Sequence, residues 1–332
     1  MLMPNRTFPT STVLVTGAAG FVGSHLTERL LTDGHSVVGL DNFNDFYDPD
    51  IKRANLGGAK SYAGFTMVEG DIRDEAGVDA VFDRHRPDAV VHLAAMAGVR
   101  SSIERPHLYT DVNVQGTTVL LDAAARHGTG PFVFASSSSV YGNNAQVPFS
   151  EAHRVENPIS PYAATKRAAE LLCHTFHHLH GLPVVCLRLF TVFGPRQRPD
   201  LAIAKFLRLV ASGDPIPVFG DGTTSRDYTY VDDIVNGVVG ALSEWSLHGG
   251  FDVFNLGGSH PVTLNELIAI IEEVTGLPVR RDNRPPQPGD VQRTWADVGK
   301  AAARFGFEPS TGLREGIAAQ WEWVVESDRA GS

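Results

Sequence analysis

Short apolar runs recur along the chain, and most are continuous rather than alternating: Thr12–Thr16, Ser36–Leu40, Phe65–Glu69, Ala89–Leu93, Phe132–Ser136, Val184–Leu189 and Asp252–Leu256. A strand covered on both faces has no solvated side to mark with polar residues. This texture therefore predicts parallel strands with helices above and below. Stretches with helical spacing fill most of the intervals. Strand and helix in alternation predict a doubly wound α/β sheet of about seven parallel strands. In such a sheet ligands lie beyond the carboxyl ends of the strands, so the residues just after each run are the ones to inspect.

The texture changes after Gly194. Pro195, Pro199, Pro215, Pro217, Gly220 and Gly222 punctuate the chain, and Arg284-Pro285-Pro286-Gln287-Pro288-Gly289 does so again. Helical patterns stand among them at Leu201–Ser212, Leu264–Thr275 and Gly312–Val325. The stretch Tyr230–Gly258 interrupts with one more strand-like run and returns to the sheet. The expected division is a nucleotide-binding domain of residues 1–192 and 230–258, and a smaller mixed, substrate-binding domain of residues 193–229 and 259–330.

The first run leads into Gly17-Ala18-Ala19-Gly20-Phe21-Val22-Gly23, and an amphipathic helix is expected from Ser24 to Leu31. Glycine allows a sharp turn and a close backbone approach because it has no Cβ and tolerates positive φ. The N-terminus of the following helix offers unpaired N–H groups and the positive end of a dipole, which suits a pyrophosphate. Asp41 ends the second run. An acid there accepts hydrogen bonds from an adenosine ribose and repels a 2′-phosphate, so a Rossmann-type site for NAD rather than NADP is expected. Asp71, after the third run, is positioned to meet an adenine amino group. After the fourth, Leu93-Ala94-Ala95-Met96-Ala97-Gly98 supplies small residues that let a flat cofactor lie against backbone.

Tyr162 and Lys166 follow Pro158 and Pro161 in a helical context, one turn apart on a shared face. An ammonium beside a phenol favours the phenolate, so Tyr162 is expected to have a lowered pKa and to act as a base. The serines Ser136-Ser137-Ser138-Ser139 end the fifth run upstream. A serine hydroxyl, a phenol and an ammonium beside a nicotinamide make a site that oxidises a carbinol.

A formal net charge of −10, without a basic cluster, argues against nucleic acid or an anionic membrane as partner. No apolar run reaches the ~18 residues of a membrane-spanning helix. Met1–Ser11 reads as a loose leader and not as a signal peptide. The two cysteines, Cys173 and Cys186, sit in apolar contexts. They read as buried packing residues, in keeping with a reducing, cytoplasmic setting. His174, His177, His178 and His180 have ligand-like spacing on one helix. The far end of that helix should point away from the strand ends, so no metal site is expected.

These residues together carry a resemblance. From the glycine turn at Gly17 to the Pro288-Gly289-Asp290 region, the chain resembles extended short-chain dehydrogenases/reductases of the NAD-dependent nucleotide-sugar epimerase/dehydratase family. Further matching pieces are Asp41-Asn42, Gly70-Asp71-Ile72, His92-Leu93-Ala94-Ala95, Asn113-Val114-Gln115-Gly116-Thr117, Ser139-Val140-Tyr141-Gly142 and Arg226-Asp227-Tyr228-Thr229-Tyr230-Val231-Asp232-Asp233. The resemblance implies a catalytic triad of Ser137, Tyr162 and Lys166, with Asn113 supporting the helix that carries the site. It implies NAD contacts from Gly17, Gly20, Phe21, Val22, Gly23, Asp41, Asn42, Asn44, Asp71 and Ile72 on the adenosine side. Toward the nicotinamide it implies Leu93, Ala94, Ala95, Ala97, Asn113, Ser136, Tyr162, Lys166, Phe190 and Val192. It also implies a homodimer built on the helices around Val112–Ala125 and Tyr162–His178.

Within the family, 4,6-dehydratases carry Asp-Glu just before Val-Tyr-Gly, and UDP-glucuronate decarboxylases carry a Glu. This chain has Ser138-Ser139 there, with neither acid nor base, which argues for simple inversion at C4. Galactose-type epimerases carry Asn where this chain has Thr191. Leu189-Phe190-Thr191-Val192-Phe193-Gly194-Pro195, Arg198-Pro199-Asp200 and Asp41-Asn42-Phe43-Asn44-Asp45-Phe46-Tyr47-Asp48 resemble the UDP-glucuronate 4-epimerase branch. That likeness implies conversion of UDP-glucuronate to UDP-galacturonate through a transient 4-keto sugar. Ser138, Ser139, Thr191 and Arg198 are then candidates for the uronate carboxylate. Val218, Phe219, Arg226 and Asp290 are candidates for the rest of the nucleotide sugar. Arg198 can equally fork onto the diphosphate, and the two assignments stay open. Gln287 stands near where relatives carry a phosphate-binding Arg. The alternatives are a UDP-hexose or N-acetylhexosamine 4-epimerase, then a UDP-glucuronate decarboxylase and a 4,6-dehydratase. In a different class stands a non-catalytic NAD(H) sensor, which is expected to lack the Tyr or the Lys; both are present.

Overall fold

The structure is a computed structural model and describes residues 9–285 and 291–330. The continuous apolar runs are strands: β1 (Thr12–Thr16), β2 (Ser36–Asp41), β3 (Phe65–Glu69), β4 (Ala89–His92), β5 (Phe132–Ser137) and β6 (Val184–Leu189). Then come β7 (Thr191–Phe193), β8 (Ile216–Phe219), β9 (Ser225–Tyr230), β10 (Phe251–Leu256), β11 (Pro261–Thr263) and β12 (Arg281–Arg284). One 7-stranded sheet runs β10-β6-β5-β4-β1-β2-β3. All its pairings are parallel. The chain winds outward from β1 to β3, then crosses back to β4 and winds the other way. That reversal between β1 and β4 opens a crevice at their carboxyl ends.

Both faces of the sheet are covered, which is why its strands read as unbroken apolar runs. On one face Leu26 and Leu30 of the helix Phe21–Thr32, with Val235 and Leu242 of Val231–His248, pack on Val13, Val15, Val91 and Val133. On the other, Leu120 and Leu121 of Gly116–His127, with Ala169 and Cys173 of Pro161–His180, pack on Leu14, Val90, Phe132 and Phe134. Cys173 and Cys186 are both buried in this second layer, as expected.

The irregular part forms two small sheets. In one, β7 and β11 flank β9; in the other, β8 pairs with β12. A separate core draws Phe206 and Leu207 from Ala202–Ser212, Ile268 and Ile271 from Leu264–Thr275, and Ile317 and Val324 from Leu313–Ala330.

Two elements depart from expectation. The first helix starts at Phe21, not Ser24, because Gly20 already acts as its cap. Gly23 therefore lies in the first helical turn, where a Cβ would sit 2.0 Å from the Gly17 carbonyl oxygen. Its role is close packing of helix on turn. The helix expected over Val112–Ala125 opens with a π-helical turn, Asp111–Gln115, before Gly116–His127. No helix among the described residues is long and apolar enough to cross a membrane. The rings of His174 and His178 stack 6.5 Å apart, and His177 Nδ1 lies 2.8 Å from the Leu182 carbonyl.

Candidate active site

The crevice over β1 and β4 continues into a single cleft that reaches β5, β6 and β7. At its nucleotide end Gly17 has φ +71°, and a Cβ there would lie 2.8 Å from the Ala94 amide nitrogen. The turn thus seats against the end of β4. Gly20, Phe21, Val22 and Gly23 line the wall, with the helix N-terminus toward the cleft. The first N–H groups of a helix have no partner within it, and this is where a pyrophosphate is held.

Asp41 closes β2 and is buried. It accepts hydrogen bonds from the Ala19 N–H (3.2 Å) and the Phe43 N–H (2.9 Å), while burial pushes its carboxyl above the ordinary range. Lys52, on the helix Pro49–Asn55, is buried beside it. The ammonium donates to the Asn44 carbonyl (2.8 Å) and side-chain oxygen (3.0 Å) and lies 4.8 Å from the Tyr47 ring. Lys52, Tyr47 and Phe46 line the cleft. Sequence reasoning did not single them out: the short helix reads as ordinary surface, and only the Asp41–Asp48 resemblance pointed to the two aromatics. Asp71 also lines the cleft, but Arg73 forks onto it and Asn42 donates to it at 2.9 Å. Arg73 holds that carboxyl well below the usual carboxylate range. Asp71 thus stands in the cleft as an ionised acceptor held in place by Arg73 and Asn42.

The chemical end is built from β5 and the helix Pro161–His180. Ser160 caps the helix by accepting the Ala163 N–H at 3.2 Å, and Pro161 suits the first turn. Tyr162 and Lys166 both line the cleft. Lys166 Nζ donates to the Ala135 carbonyl at 2.7 Å and lies 4.9 Å from the Phe134 ring; burial pulls its pKa down to about 8. Ser137 Oγ accepts the Ser139 N–H at 3.1 Å, which leaves its own proton for the Tyr162 phenol. Burial pushes that phenol up, against the Ser137 hydrogen bond and the charge of Arg198. The expected lowering by Lys166 is thus corrected. The ammonium is turned to a backbone carbonyl, and the cation acting on the phenol is Arg198.

Arg198 lines the cleft with its guanidinium forked onto Asp200, Nε to Oδ1 at 3.0 Å and Nη2 to Oδ2 at 2.7 Å. It also reaches the Ala97 carbonyl at 3.3 Å and faces the Phe46 ring at 4.9 Å. Ser138, Ser139 and Thr191 share this wall, as do Asn42, Asn44, Ile72, Leu93, Ala94, Ala95, Ala97, Ser136, Phe190 and Val192. Tyr109, fully buried, sets its ring edge-on to Tyr162 at 6.2 Å and carried no signal in the sequence.

Four expected contacts lie off the wall. Asn113 is buried behind it, accepting the Met96 N–H (2.8 Å) and donating to the Met96 carbonyl (2.9 Å) and Thr165 Oγ1 (3.1 Å). It ties the loop after β4 to the helix of Tyr162, the supporting role the resemblance implies. Val218 belongs to the smaller core. Phe219 packs under the guanidinium groups of Arg100 (5.2 Å) and Arg284 (5.9 Å), and Arg226 donates to the Ser225 carbonyl at 2.9 Å. Asp290 and Gln287 lie outside the described residues.

A glycine turn that excludes Cβ atoms, a helix N-terminus and a buried acid at the end of β2 fit a dinucleotide, and a Tyr-Lys pair stands at its far end. The crevice and this pair define a dinucleotide-dependent enzyme. The chain belongs to the NAD dependent epimerase/dehydratase family, whose model matches residues 13–257. It is 41% identical over 315 residues to a UDP-glucuronate 4-epimerase of Thermodesulfobacterium geofontis, spanning 95% of this chain and 96% of that one. The crystal structure of UDP-glucuronic acid 4-epimerase from Bacillus cereus, in complex with UDP-glucuronic acid and NAD, matches with a TM-score of 0.90 at 35% identity, over 95% of this chain and 99% of that one. A UDP-glucose 4-epimerase of Thermotoga maritima with UDP-glucose matches with a TM-score of 0.87 at 34% identity, over the same shares.

Proposed function

We propose that this protein converts UDP-glucuronate to UDP-galacturonate by inverting C4, as a cytoplasmic homodimer. The observation that carries the reading is that Ser138, Ser139, Thr191 and Arg198 share one cleft with Tyr162 and Lys166. Three hydroxyls and a guanidinium suit a carboxylate. No acid or base occupies the two positions where dehydratases carry Asp-Glu. In this reading residues 1–192 and 230–258 hold NAD, and residues 193–229 and 259–330 hold the nucleotide sugar.

NAD, held by the Gly17–Gly23 turn and Asp41, supplies the hydride acceptor and donor at C4. Tyr162 takes the O4 proton, assisted by the Ser137 hydroxyl and the positive charge of Arg198. The resulting 4-keto sugar turns its other face, and Tyr162 returns the proton. Oxidised at C4, the uronate is a β-keto acid and loses CO₂ when its carboxylate aligns with the carbonyl π system. The hydroxyls and Arg198 hold the carboxylate out of that alignment.

Incubation with UDP-glucuronate and no added NAD should yield UDP-galacturonate without accumulation of NADH, as read by chromatography of the UDP-linked products. A requirement for stoichiometric NAD would mean a dehydrogenase, and a UDP-pentose as main product would mean a decarboxylase. Turnover of UDP-glucose but not UDP-glucuronate would favour the neutral-sugar epimerase, which the Arg198–Asp200 fork supports by engaging the cation. For the dimer, the support is an outward stripe on Pro161–His180, where Leu171 is 53% and Leu179 66% exposed. Light scattering at micromolar concentration should give twice the chain mass, and a monomer contradicts the pairing.

A further inference from the structure

The helix Pro161–His180 repeats its one-turn spacing once more: Tyr162, Lys166, Glu170. The first two face the cleft. Glu170 lies behind them with a fully buried side chain, and both its oxygens are saturated. Oε1 accepts from Ser136 Oγ at 2.6 Å and Arg188 Nε at 2.9 Å; Oε2 accepts from Arg188 Nη2 and Arg167 Nη1, each at 2.9 Å. Arg188, on β6, passes the connection on through Nη1 to Tyr141 Oη (3.0 Å), and Tyr141 donates to Asn255 Oδ1 of β10 (2.7 Å). One buried carboxylate thus ties the helix to three neighbouring strands and to the turn Ser138–Tyr141.

The anchors lie on the wall of the cleft or close behind it, and Ser136 itself lines it. Ser136 stands between Ala135, whose carbonyl receives Lys166, and Ser137, whose hydroxyl serves Tyr162. Arg188 precedes Leu189, and Tyr141 closes the turn that carries Ser138 and Ser139. A buried ion pair is a poor source of stability, since apolar residues of like volume serve as well or better. Its best-attested use is to fix one arrangement among several. We infer that Glu170 is a positioning residue, which through Ser136 and Arg188 sets the register of the Tyr162–Lys166 helix on the end of β5. A slip along that seam would separate Lys166 from Ala135 and Ser137 from Tyr162 together. The inference rests on the proposed epimerisation only for its kinetic readout.

The test uses Glu170→Gln, Ser136→Ala and the double variant. Ser136→Ala removes one hydroxyl and leaves the ion pair intact, so it folds even where Glu170→Gln is damaged. Expected results are a fall of about tenfold in kcat for each single variant, with KM for the sugar nucleotide and bound NAD unchanged. The double variant should be no worse than Glu170→Gln, because both act through one bond. Crystal structures should show the hydrogen bond from Lys166 Nζ to the Ala135 carbonyl broken or lengthened. A purely structural staple would lower the melting temperature but leave kcat intact well below it. That result with the Lys166–Ala135 hydrogen bond unchanged, or strictly additive losses, overturns the inference. If the wild type turns over no UDP-sugar, the proposed reaction is what fails, and the Lys166–Ala135 geometry in the variants alone decides the role of Glu170.

Discussion

Tyr162→Phe should lower turnover of UDP-glucuronate by about 10²–10⁴, the usual cost of losing a general base. The substitution is confined to one oxygen. The ring stays to hold its edge contact with Tyr109 and the start of its helix, so the fold and the nucleotide end of the cleft are untouched. NAD content per chain, measured after release by denaturation, should equal that of the wild type. What disappears is the group that carries the O4 proton in both directions. Near-full activity in this variant would remove Tyr162 from the mechanism. Activity lost together with NAD would mean that its role is in binding instead.

Arg198→Ala carries the second large effect and decides the substrate. A hydrogen bond to a charged group contributes about 1.5–3 kcal/mol, so loss of the guanidinium should weaken UDP-glucuronate about 10- to 100-fold. If the partner is the carboxylate, UDP alone should bind nearly as before, and UDP-pentose by-products should appear as the unpinned 4-keto acid decarboxylates. Calorimetric titration with both ligands separates the cases, and equal loss for UDP would sink the carboxylate assignment. The electrostatics add a second signature. The positive charge of Arg198 favours the Tyr162 phenolate, so removing it raises the phenol pKa further. The rising limb of the pH–rate profile should therefore move to higher pH.

The main sheet is legible in the sequence because its strands are apolar on both faces, so Thr12–Thr16 or Val184–Leu189 announces itself without reference to anything distant. The glycine turn and the Tyr162–Lys166 spacing are local signals for the same reason. The features that escape depend on which segments meet. β7 and β11 have three residues each and no periodicity to detect; they exist because β9 lies between them. Lys52 and Tyr109 reach the site from elements whose sequences look like surface and core. Spacing on a helix misstates Tyr162 because it gives proximity, not direction. Lys166 directs one N–H to the Ala135 carbonyl, whereas Arg198 approaches from a loop more than thirty positions away in sequence. Asp71 and Asp41 are visible in the sequence, but their engagement by Arg73, Ala19 and Phe43 is a fact of three-dimensional packing.

The route of the chain between its two cores bears on how it is made. A nascent chain emerges amino end first and folds in units as they become available. All seven strands of the large sheet are out once β10 has appeared, at Leu256, while Ala301 and Phe307, which complete the core on the face of the helix Phe21–Thr32, come later. The smaller core still waits for Leu267, Ile271, Ile317 and Val324. During synthesis β8 therefore precedes its partner β12, and β9, which already has β7 to pair with, precedes β11. The smaller core is thus completed last, beside a sheet whose seven strands have all been made.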